Sequence, residues 1–303
     1  MNTIEKALLK KQTSTENNED AKLDNKLTNT IEKAEALTQS IKTSDSVQKN
    51  DVVADDVEKS KFITIDVDKL NAKGFVSNSS DRRPINEEYR AIKRKVLDNA
   101  FGALSKSLTN PNIIMITSSR PGEGKTFTAI NLALSIALEQ DKTVLLVDAD
   151  VLRPNVMRTL ELRNQDGLIE FLLGEKSDIS DIMCKTNIPN LRIIPAGRAH
   201  HLSTELLASE KMYQAVEEFA NRYPDRVVIV DTPPLLGINE TAILANLAGQ
   251  AIVVTEENKS KLNDIKKAVG QLNPDMAIGF VVNKAQHSNS DGTGYGYYYS
   301  GAE

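Results

Sequence analysis

The stretch SSRPGEGKT, residues 118–126, has the residue types and spacing of a loop that binds the phosphates of a nucleotide. Gly122 and Gly124 permit a tight turn whose backbone N–H groups converge on phosphate oxygens, and Lys125 supplies a positive charge for the β- and γ-phosphates. Thr126 offers a hydroxyl to Mg²⁺, and the N-terminus of the next helix points at the same anion. A strict pattern has glycine where this chain has Ser119. We expect nucleotide contacts from Pro121, Gly122, Glu123, Gly124, Lys125, Thr126 and Phe127.

Three aspartates close two other apolar runs. Asp148 and Asp150 end TVLLVDAD (143–150), and Asp231 lies in RVVIVDTPP (226–234). A spacing of two in an extended segment directs Asp148 and Asp150 to the same face. Together with the loop and the Thr126 hydroxyl, the three carboxylates are what a magnesium–triphosphate complex needs. The alternative for Asp148 and Asp150 is solvation of a strand end.

The elements that must position these residues are short β-branched runs alternating with helical patterns. The runs are near-continuous apolar stretches, which is typical of parallel strands covered on both faces. They lie at 112–118, 143–150, 191–197, 226–234, 250–256 and 277–284, with helical patterns at 128–140, 203–223 and 258–272. The sequence therefore predicts an α/β protein with a doubly wound, mostly parallel sheet flanked by helices, the P-loop NTPase fold. In that fold, ligands bind at the carboxyl ends of the strands.

The composition divides the chain near residue 80. Residues 1–80 contain no proline, one glycine and two aromatic residues, so we expect a mostly disordered N-terminal segment. Two near-repeats in it, at 2–9 and 29–37, are either coincidence or a pair of short amphipathic docking helices. The stretch KFITIDVDKL (61–70) should lie against the folded domain. We expect that domain over 81–286 and a flexible tail over 287–303.

Charge and cysteine content limit the functional classes. A net charge of −5 over 303 residues argues against a nucleic-acid-binding surface. The single cysteine, Cys184, cannot form an internal disulfide, so we expect a reducing, cytoplasmic setting and a helix-packing role for this residue. No apolar run approaches the length of a membrane-spanning helix. His200 and His201 are adjacent, without a carboxylate or cysteine at ligand spacing, and indicate a solvated loop.

The tail DGTGYGYYYSGAE (291–303) places four of the seven tyrosines among glycines. Tyr295, Tyr297, Tyr298 and Tyr299 are candidate phosphoacceptors, because a glycine-rich tail can deliver several hydroxyls to a nucleotide site in turn. The alternative is an aromatic docking peptide for a partner.

The loop at 118–126, DADVLRP and VDTPP together resemble the Walker A, A′ and B motifs of the bacterial tyrosine kinases, over roughly residues 80–299. DADVLRP, PAGRAHHLSTELLASEKM and the opening TIEKAL are most similar to soluble autokinases of exopolysaccharide clusters, especially those linked to exosortase systems. The resemblance implies ATP-dependent autophosphorylation of the tail, with Lys125, Asp148, Asp150 and Asp231 as the catalytic set. Asp150 would help activate the tyrosine hydroxyl, and Asp231 and Asp148 would position Mg²⁺. Many relatives have arginine where this chain has Leu152.

The resemblance also implies partners. Family members assemble into rings through an E-x-x-R-x-x-R motif, which here corresponds to Glu87, Arg90 and Lys93 on one predicted helix; a solvated helix with local salt bridges is the alternative. We further expect a membrane chain-length regulator of polysaccharide export, a tyrosine phosphatase, and a cytoplasmic location at the inner face of the membrane through that partner. The function would then be regulation of exopolysaccharide chain length or export.

The remaining positions concern an alternative function, the ligand or the packing of a helix. Partition and septum-placement ATPases share this architecture and have a lysine where this chain has Arg120, so a non-kinase ATPase assembly switch is the alternative function. Asn283 is expected either to contact adenine or to cap a turn. Phe101 and Leu104 are expected to pack the helix that precedes the first strand onto the sheet.

Overall fold

The computed structural model describes residues 61–77 and 83–285, and within them one eight-stranded sheet. The strands run in the order β1-β4-β5-β3-β6-β2-β7-β8, and every neighbouring pair is parallel except β4 and β5. Their bounds are β1 Phe62–Ile63, β2 Ile113–Ser118, β3 Thr143–Asp148, β4 Cys184–Thr186, β5 Leu191–Ile194, β6 Arg226–Asp231, β7 Gln250–Glu256 and β8 Ala277–Asn283. The predicted fold class is confirmed, as is each of the six predicted strands. The repeats at 2–9 and 29–37 and the tyrosine cluster lie outside the described residues.

Nine α-helices flank the sheet in the described part of the chain. They are α1 Val67–Ala72, α2 Pro84–Phe101, α3 Lys125–Ala137, α4 Val156–Thr159, α5 Leu168–Leu172, α6 Ser203–Leu207, α7 Glu210–Asn221, α8 Asn239–Ala245 and α9 Leu262–Val269. Short 3₁₀ helices span Ala103–Ser107 and Ile179–Asp181. The single helix predicted at 203–223 is divided into α6 and α7, because Ser209 is extended and its hydroxyl accepts a hydrogen bond from the Met212 N–H at the start of α7.

The core consists of two apolar layers, one on each face of the sheet. Alternate residues of β3 enter opposite layers, with Leu145 in one and Leu146 in the other. Helix α3 is apolar around most of its circumference and is buried almost completely in the second layer. The central strands are parallel, so their carboxyl ends lie at one edge of the sheet, where the apolar layers end. The polar side chains that follow these strands therefore lie close together at that edge.

Residues 61–77 belong to this folded unit, N-terminal to the domain start predicted at residue 81. Strand β1 pairs in parallel with β4, and Ile63, Ile65 and Leu70 are buried, as expected for the stretch 61–70. The helix-packing role predicted for Cys184 is wrong: this residue begins β4, pairs antiparallel with β5 and is fully buried.

Helix α2 packs differently from the sequence prediction. Phe101 and Leu104 are 37% and 59% exposed, so their predicted packing on the sheet is wrong. They fall at the last residue of α2 and in the 3₁₀ turn that follows, whereas Tyr89, Val96 and Ala100 form the buried stripe.

The three predicted interface residues of α2 do not share one exposed face. Glu87 and Arg90 form an exposed ion pair of 2.6 Å. Lys93 is buried and is bound within the same chain: its Nζ lies 2.5 Å from a Glu139 carboxylate oxygen and donates to the Ser135 carbonyl. A step of three residues falls short of the 3.6-residue turn, so the third residue is rotated toward the domain.

Of the helices described, none has the length and apolar content needed to cross a membrane.

Candidate active site

The polar residues predicted to bind a nucleotide meet at the carboxyl edge of the sheet. Strand β2 leads into the loop 119–124 and then into α3. Asp148 at the end of β3 and Asp231 at the end of β6 are register partners on adjacent strands, and Asp231 is also the partner of Ile116 in β2. The strand order therefore places the loop beside both aspartates.

The backbone of the loop requires glycine at two positions. Gly122 and Gly124 have φ angles of 88° and 102°, in the left-handed region that side chains disfavour. At Gly124 an added Cβ would also lie 1.8 Å from Nδ2 of Asn283. Asn283 Nδ2 donates to the Glu123 carbonyl and Lys284 Nζ donates to the Gly122 carbonyl. The end of β8 thus supports the loop from outside.

The Glu123 side chain fixes the loop from inside. Its buried carboxylate accepts hydrogen bonds from the Ser119 hydroxyl at 2.9 Å, from the Arg120 N–H at 2.7 Å and from the Ser260 hydroxyl. Ser119, which departs from the strict glycine pattern, is therefore a partner of Glu123. From the sequence, Glu123 is expected only to contact ATP as part of the loop. The contribution of Ser260 could not be predicted, since nothing in the sequence links positions 137 residues apart.

Arg120 is tied to the neighbouring helix. Its Nε donates to Asp264 Oδ2 of α9 at 2.7 Å, and this partner raises the pKa of Arg120 and lowers that of Asp264. The guanidinium remains largely exposed, so the pair contributes little to stability.

Lys125 and Asp150 form a buried ion pair. Lys125 Nζ lies 2.6 Å from Asp150 Oδ2, and the two side chains are 12% and 4% exposed. Burial lowers the pKa of Lys125, but the carboxylates of Asp231 and Asp150 outweigh it and raise the pKa overall. The other oxygen of Asp150 accepts the Arg153 N–H at 3.1 Å. The carboxylate is thereby oriented toward the loop.

Asp231 combines one bonded oxygen with one unbonded oxygen. Oδ2 accepts the Thr126 hydroxyl at 2.6 Å, whereas Oδ1 is buried without a hydrogen-bond partner. Burial raises the pKa of Asp231 to about 6, against the opposing effects of Lys125 and the Thr126 hydrogen bond. A buried carboxylate oxygen without a partner, beside a hydroxyl at the N-terminus of α3, fits a Mg²⁺ ion that takes its remaining ligands from phosphate and water.

Asp148 organises the segment after β3. Its two oxygens accept the backbone N–H groups of Asp150, Asn155 and Val156 at 3.0–3.2 Å. Burial, followed by the nearby Asp231, raises the pKa of Asp148 to about 7. Among the described residues, no three His, Cys, Asp or Glu side chains are grouped as a metal-binding cluster.

A cavity of about 540 Å³ opens beside the loop, between the start of α2 and the end of β8. Phe127, Asn283, Tyr89 and Phe280 contribute to its walls. Tyr89 is buried and burial raises its pKa to about 12, so its phenol is neutral at physiological pH. Phe127 and Asn283, both predicted to contact the nucleotide, therefore border one cavity next to the phosphate loop. The tyrosines predicted to be phosphoacceptors lie outside the described residues.

Comparisons with known proteins agree with this arrangement. The sequence model of the AAA domain family matches residues 111–275. The tyrosine-protein kinase YwqD of Bacillus subtilis is 33% identical over 215 residues, covering 70% of this chain and 86% of YwqD. The EpsB protein of Ralstonia nicotianae is 34% identical over 189 residues, but the match spans 62% of this chain and only 25% of EpsB.

The fold is also similar to a solved kinase domain. The kinase domain of the Escherichia coli tyrosine kinase ETK superposes with a TM-score of 0.58 at 26% identity, covering 77% of this chain and 94% of that domain. The AAA-domain match, residues 111–275, includes the phosphate loop and the strands that carry the three aspartates.

Proposed function

Since the chain belongs to the bacterial tyrosine-protein kinase family and carries an AAA domain, we propose that it is an ATP-dependent protein-tyrosine autokinase. It would transfer the γ-phosphate of ATP to its own C-terminal tyrosines, Tyr295, Tyr297, Tyr298 and Tyr299. The observation that carries the proposal is the pairing of Lys125 with Asp150 next to Thr126 and Asp231, at the mouth of a phosphate loop.

In the proposed reaction, Lys125 acts first, by binding ATP, and Asp150 acts second, by accepting a proton. When ATP enters, its phosphates offer Lys125 a stronger anionic partner than Asp150, and the ammonium turns to the β- and γ-phosphates. This exchange frees Asp150 Oδ2, which then accepts the proton of an incoming tyrosine hydroxyl. A phenol with a pKa near 10 is a weak nucleophile at neutral pH, so a carboxylate acceptor next to the γ-phosphate favours attack.

Thr126 and Asp231 would hold Mg²⁺, with Asp231 Oδ1 as the unsatisfied ligand atom. Bound Mg²⁺ neutralises charge on the β- and γ-phosphates during phosphoryl transfer. Asp148 holds the backbone of the segment 149–156 through its hydrogen bonds to backbone N–H groups and so sets the position of Asp150. If Asp148 also contacts the metal, it does so through lone pairs that these hydrogen bonds leave unused.

The tail is long enough to reach a kinase site. Tyr295 lies ten residues after Ala285, a stretch that spans at most about 35 Å when extended. Each phosphate adds about −1.5 to −2 charges near pH 7, so phosphorylated tyrosines are repelled by the carboxylates of the site. We propose that this repulsion releases the tail and promotes disassembly of a ring-like homo-oligomer, in which Glu87 and Arg90 would contact the neighbouring copy and Lys93 would support their helix.

The biological setting follows from the same family membership. We propose that the kinase works with a membrane chain-length regulator of polysaccharide export, is reversed by a tyrosine phosphatase, and is cytoplasmic at the inner face of the membrane. Its cycle would control exopolysaccharide chain length or export.

The alternative, an ATPase assembly switch that phosphorylates no protein, is not favoured by the loop. Arg120, which replaces the lysine of that class, is bound to Asp264 within its own chain.

Phosphosite mapping separates the two functions. The purified full chain is incubated with ATP and Mg²⁺, and tyrosine phosphorylation is located by mass spectrometry. We expect phosphate on residues 295–299 that is absent in Lys125→Met and strongly reduced in Asp150→Asn, while Lys106→Met, at an exposed lysine, behaves like the wild type. ATP turnover with an unmodified tail would establish the switch instead.

A further inference from the structure

A row of cationic side chains crosses the sheet at the amino ends of its strands, opposite the phosphate loop. In the register, Lys185 of β4 pairs with Arg192 of β5, and Arg192 pairs with Leu145 of β3. Two residues earlier in β3, Thr143 pairs with Arg226 of β6. Register partners point to the same face of a sheet, as do residues two apart in one strand. Lys185, Arg192 and Arg226 therefore project from one face.

These three cations line a depression of about 340 Å³ with an aromatic residue at each end. Phe62 is the register partner of Lys185 on the edge strand β1 and is 63% exposed. At the other end, the Tyr223 ring lies 3.9 Å from the Arg226 guanidinium carbon. We call this depression the basic pocket.

Arg226 is a buried cation without an ionic partner. The residue is 4% exposed, its guanidinium stacks on the Tyr223 ring, and none of the ion pairs among the described residues involves it. Burial and the like charge of Arg192 lower the pKa of Arg226, although Tyr223 and Asp225, which also line the depression, act in the opposite direction. Buried charges in proteins are ordinarily paired, so a guanidinium without a carboxylate partner favours binding of an anion in this pocket.

The chemistry of the pocket selects a phosphate ester on an aromatic ring. A guanidinium group can donate two parallel hydrogen bonds to two oxygens of one phosphate, and the Lys185 ammonium adds a further positive charge. Phe62 and Tyr223 offer faces and edges against which a phenyl ring packs. We propose that the basic pocket binds a phosphotyrosine of the C-terminal cluster, an inference that rests on the proposed autokinase function for its ligand.

The charged groups at the two ends of the strands would move a phosphorylated tail away from the active site and toward the basic pocket. Asp148, Asp150 and Asp231 lie at the carboxyl edge, and Lys185, Arg192 and Arg226 line the depression near the amino ends, so a tail that gains phosphate is repelled by the first set and attracted by the second. Tyr298 lies 13 residues after Ala285, a stretch that spans up to about 45 Å, whereas five strand spacings from β8 to β5, about 24 Å, combined with the length of β8, about 23 Å, give a straight-line distance of about 33 Å. The tail has the reach required, in its own copy or in a neighbouring one.

Fluorescence anisotropy with a synthetic peptide tests the proposal. The peptide comprises residues 291–303 with phosphate on Tyr298, and the receptor is the full chain with all four tail tyrosines changed to phenylalanine. We expect the phosphopeptide to bind roughly tenfold or more tightly than the unphosphorylated peptide, and Arg226→Leu to weaken it roughly tenfold. Arg94→Leu, which removes an exposed arginine elsewhere, should leave binding unchanged.

Folding does not limit this test, because replacing an unpaired buried charge by leucine is expected to be neutral or stabilising. If Arg226→Leu nevertheless fails to fold, the exposed Lys185→Ala serves instead, with an expected weakening of about threefold.

Three results would overturn the proposal: equal binding of the two peptides, phosphopeptide binding that is the same in the Arg226→Leu and Arg94→Leu chains, or Arg226-dependent binding to phosphatidylglycerol vesicles in place of the phosphopeptide. The synthetic peptide brings its own phosphate, so the outcome is independent of catalysis. A tail that ATP leaves unmodified refutes the autokinase, whereas a phosphorylated tail combined with no peptide binding refutes the basic pocket alone.

Discussion

Asp231→Asn should stabilise the nucleotide-free protein although it removes a residue of the candidate active site. The pKa of Asp231 is raised to about 6 in the folded chain, against about 3.9 for an ordinary aspartate. A group whose pKa is raised by folding contributes stability at low pH that is lost as the pH rises through the folded value. Burying this ionised carboxylate therefore costs the wild type about 3 kcal/mol at pH 8, at 1.36 kcal/mol per pH unit.

Asparagine has nearly the same shape and accepts the Thr126 hydroxyl without carrying charge. We expect the variant to exceed the wild type in free energy of unfolding by about 3 kcal/mol at pH 8 and by roughly half as much at pH 5, where Asp231 is mostly protonated in the folded wild type. The pKa of Asp148 is raised in part by Asp231, so the same substitution relieves Asp148 as well.

Urea denaturation at pH 5, 6.5 and 8, in EDTA and without nucleotide, measures this difference. Asp275→Asn, at an exposed carboxylate, is the control and should change stability by less than about 0.5 kcal/mol. With Mg²⁺ and ADP the order should reverse, because only the wild type gains binding energy through Asp231. An Asp231→Asn chain that is less stable than the wild type at pH 8, or a difference that does not vary with pH, would refute the reasoning.

Three further predictions concern the loop and helix α2. Gly124→Ala should abolish nucleotide binding measured by calorimetry while Gly270→Ala does not, because only the first requires φ 102° and places a Cβ 1.8 Å from Asn283; retained binding would contradict the loop geometry. Lys93→Met should lower the free energy of unfolding by about 1 kcal/mol, since the Glu139 end of its ion pair is partly exposed; an unchanged stability with loss of oligomers on gel filtration would instead make Lys93 a direct interface residue. Leu104→Ser should change the unfolding free energy by less than about 0.5 kcal/mol, whereas Val96→Ala in the buried stripe should cost roughly 2 kcal/mol; equal effects would place both residues in the core.

The sheet was predictable because strands that are buried on both faces have nearly continuous apolar sequences. β2, β3 and β6 have this form, and their polar ends identify the site edge. β1 and β4 were not predicted as strands, since two or three residues give no period. Cys184 was assigned to a helix for that reason.

The site was predictable in its residue types but not in its pairings. Lys125 and the aspartates are recognisable from local motifs, whereas the bonds of Glu123 to Ser260 and of Asn283 to the loop join positions far apart in the chain. Lys93 was misplaced because a spacing of three drifts around the helix. The burial of Arg226 could not be predicted, because an arginine at the start of a strand is ordinarily exposed to solvent.

The most direct test of the central claim is the phosphotyrosine content of the full chain after incubation with ATP and Mg²⁺, compared with a chain in which Tyr295, Tyr297, Tyr298 and Tyr299 are phenylalanine. We expect phosphotyrosine in the first chain and its near-complete loss in the second, with ATP binding retained in both. Equal phosphotyrosine in the two chains, or none in the first despite bound ATP, would contradict it.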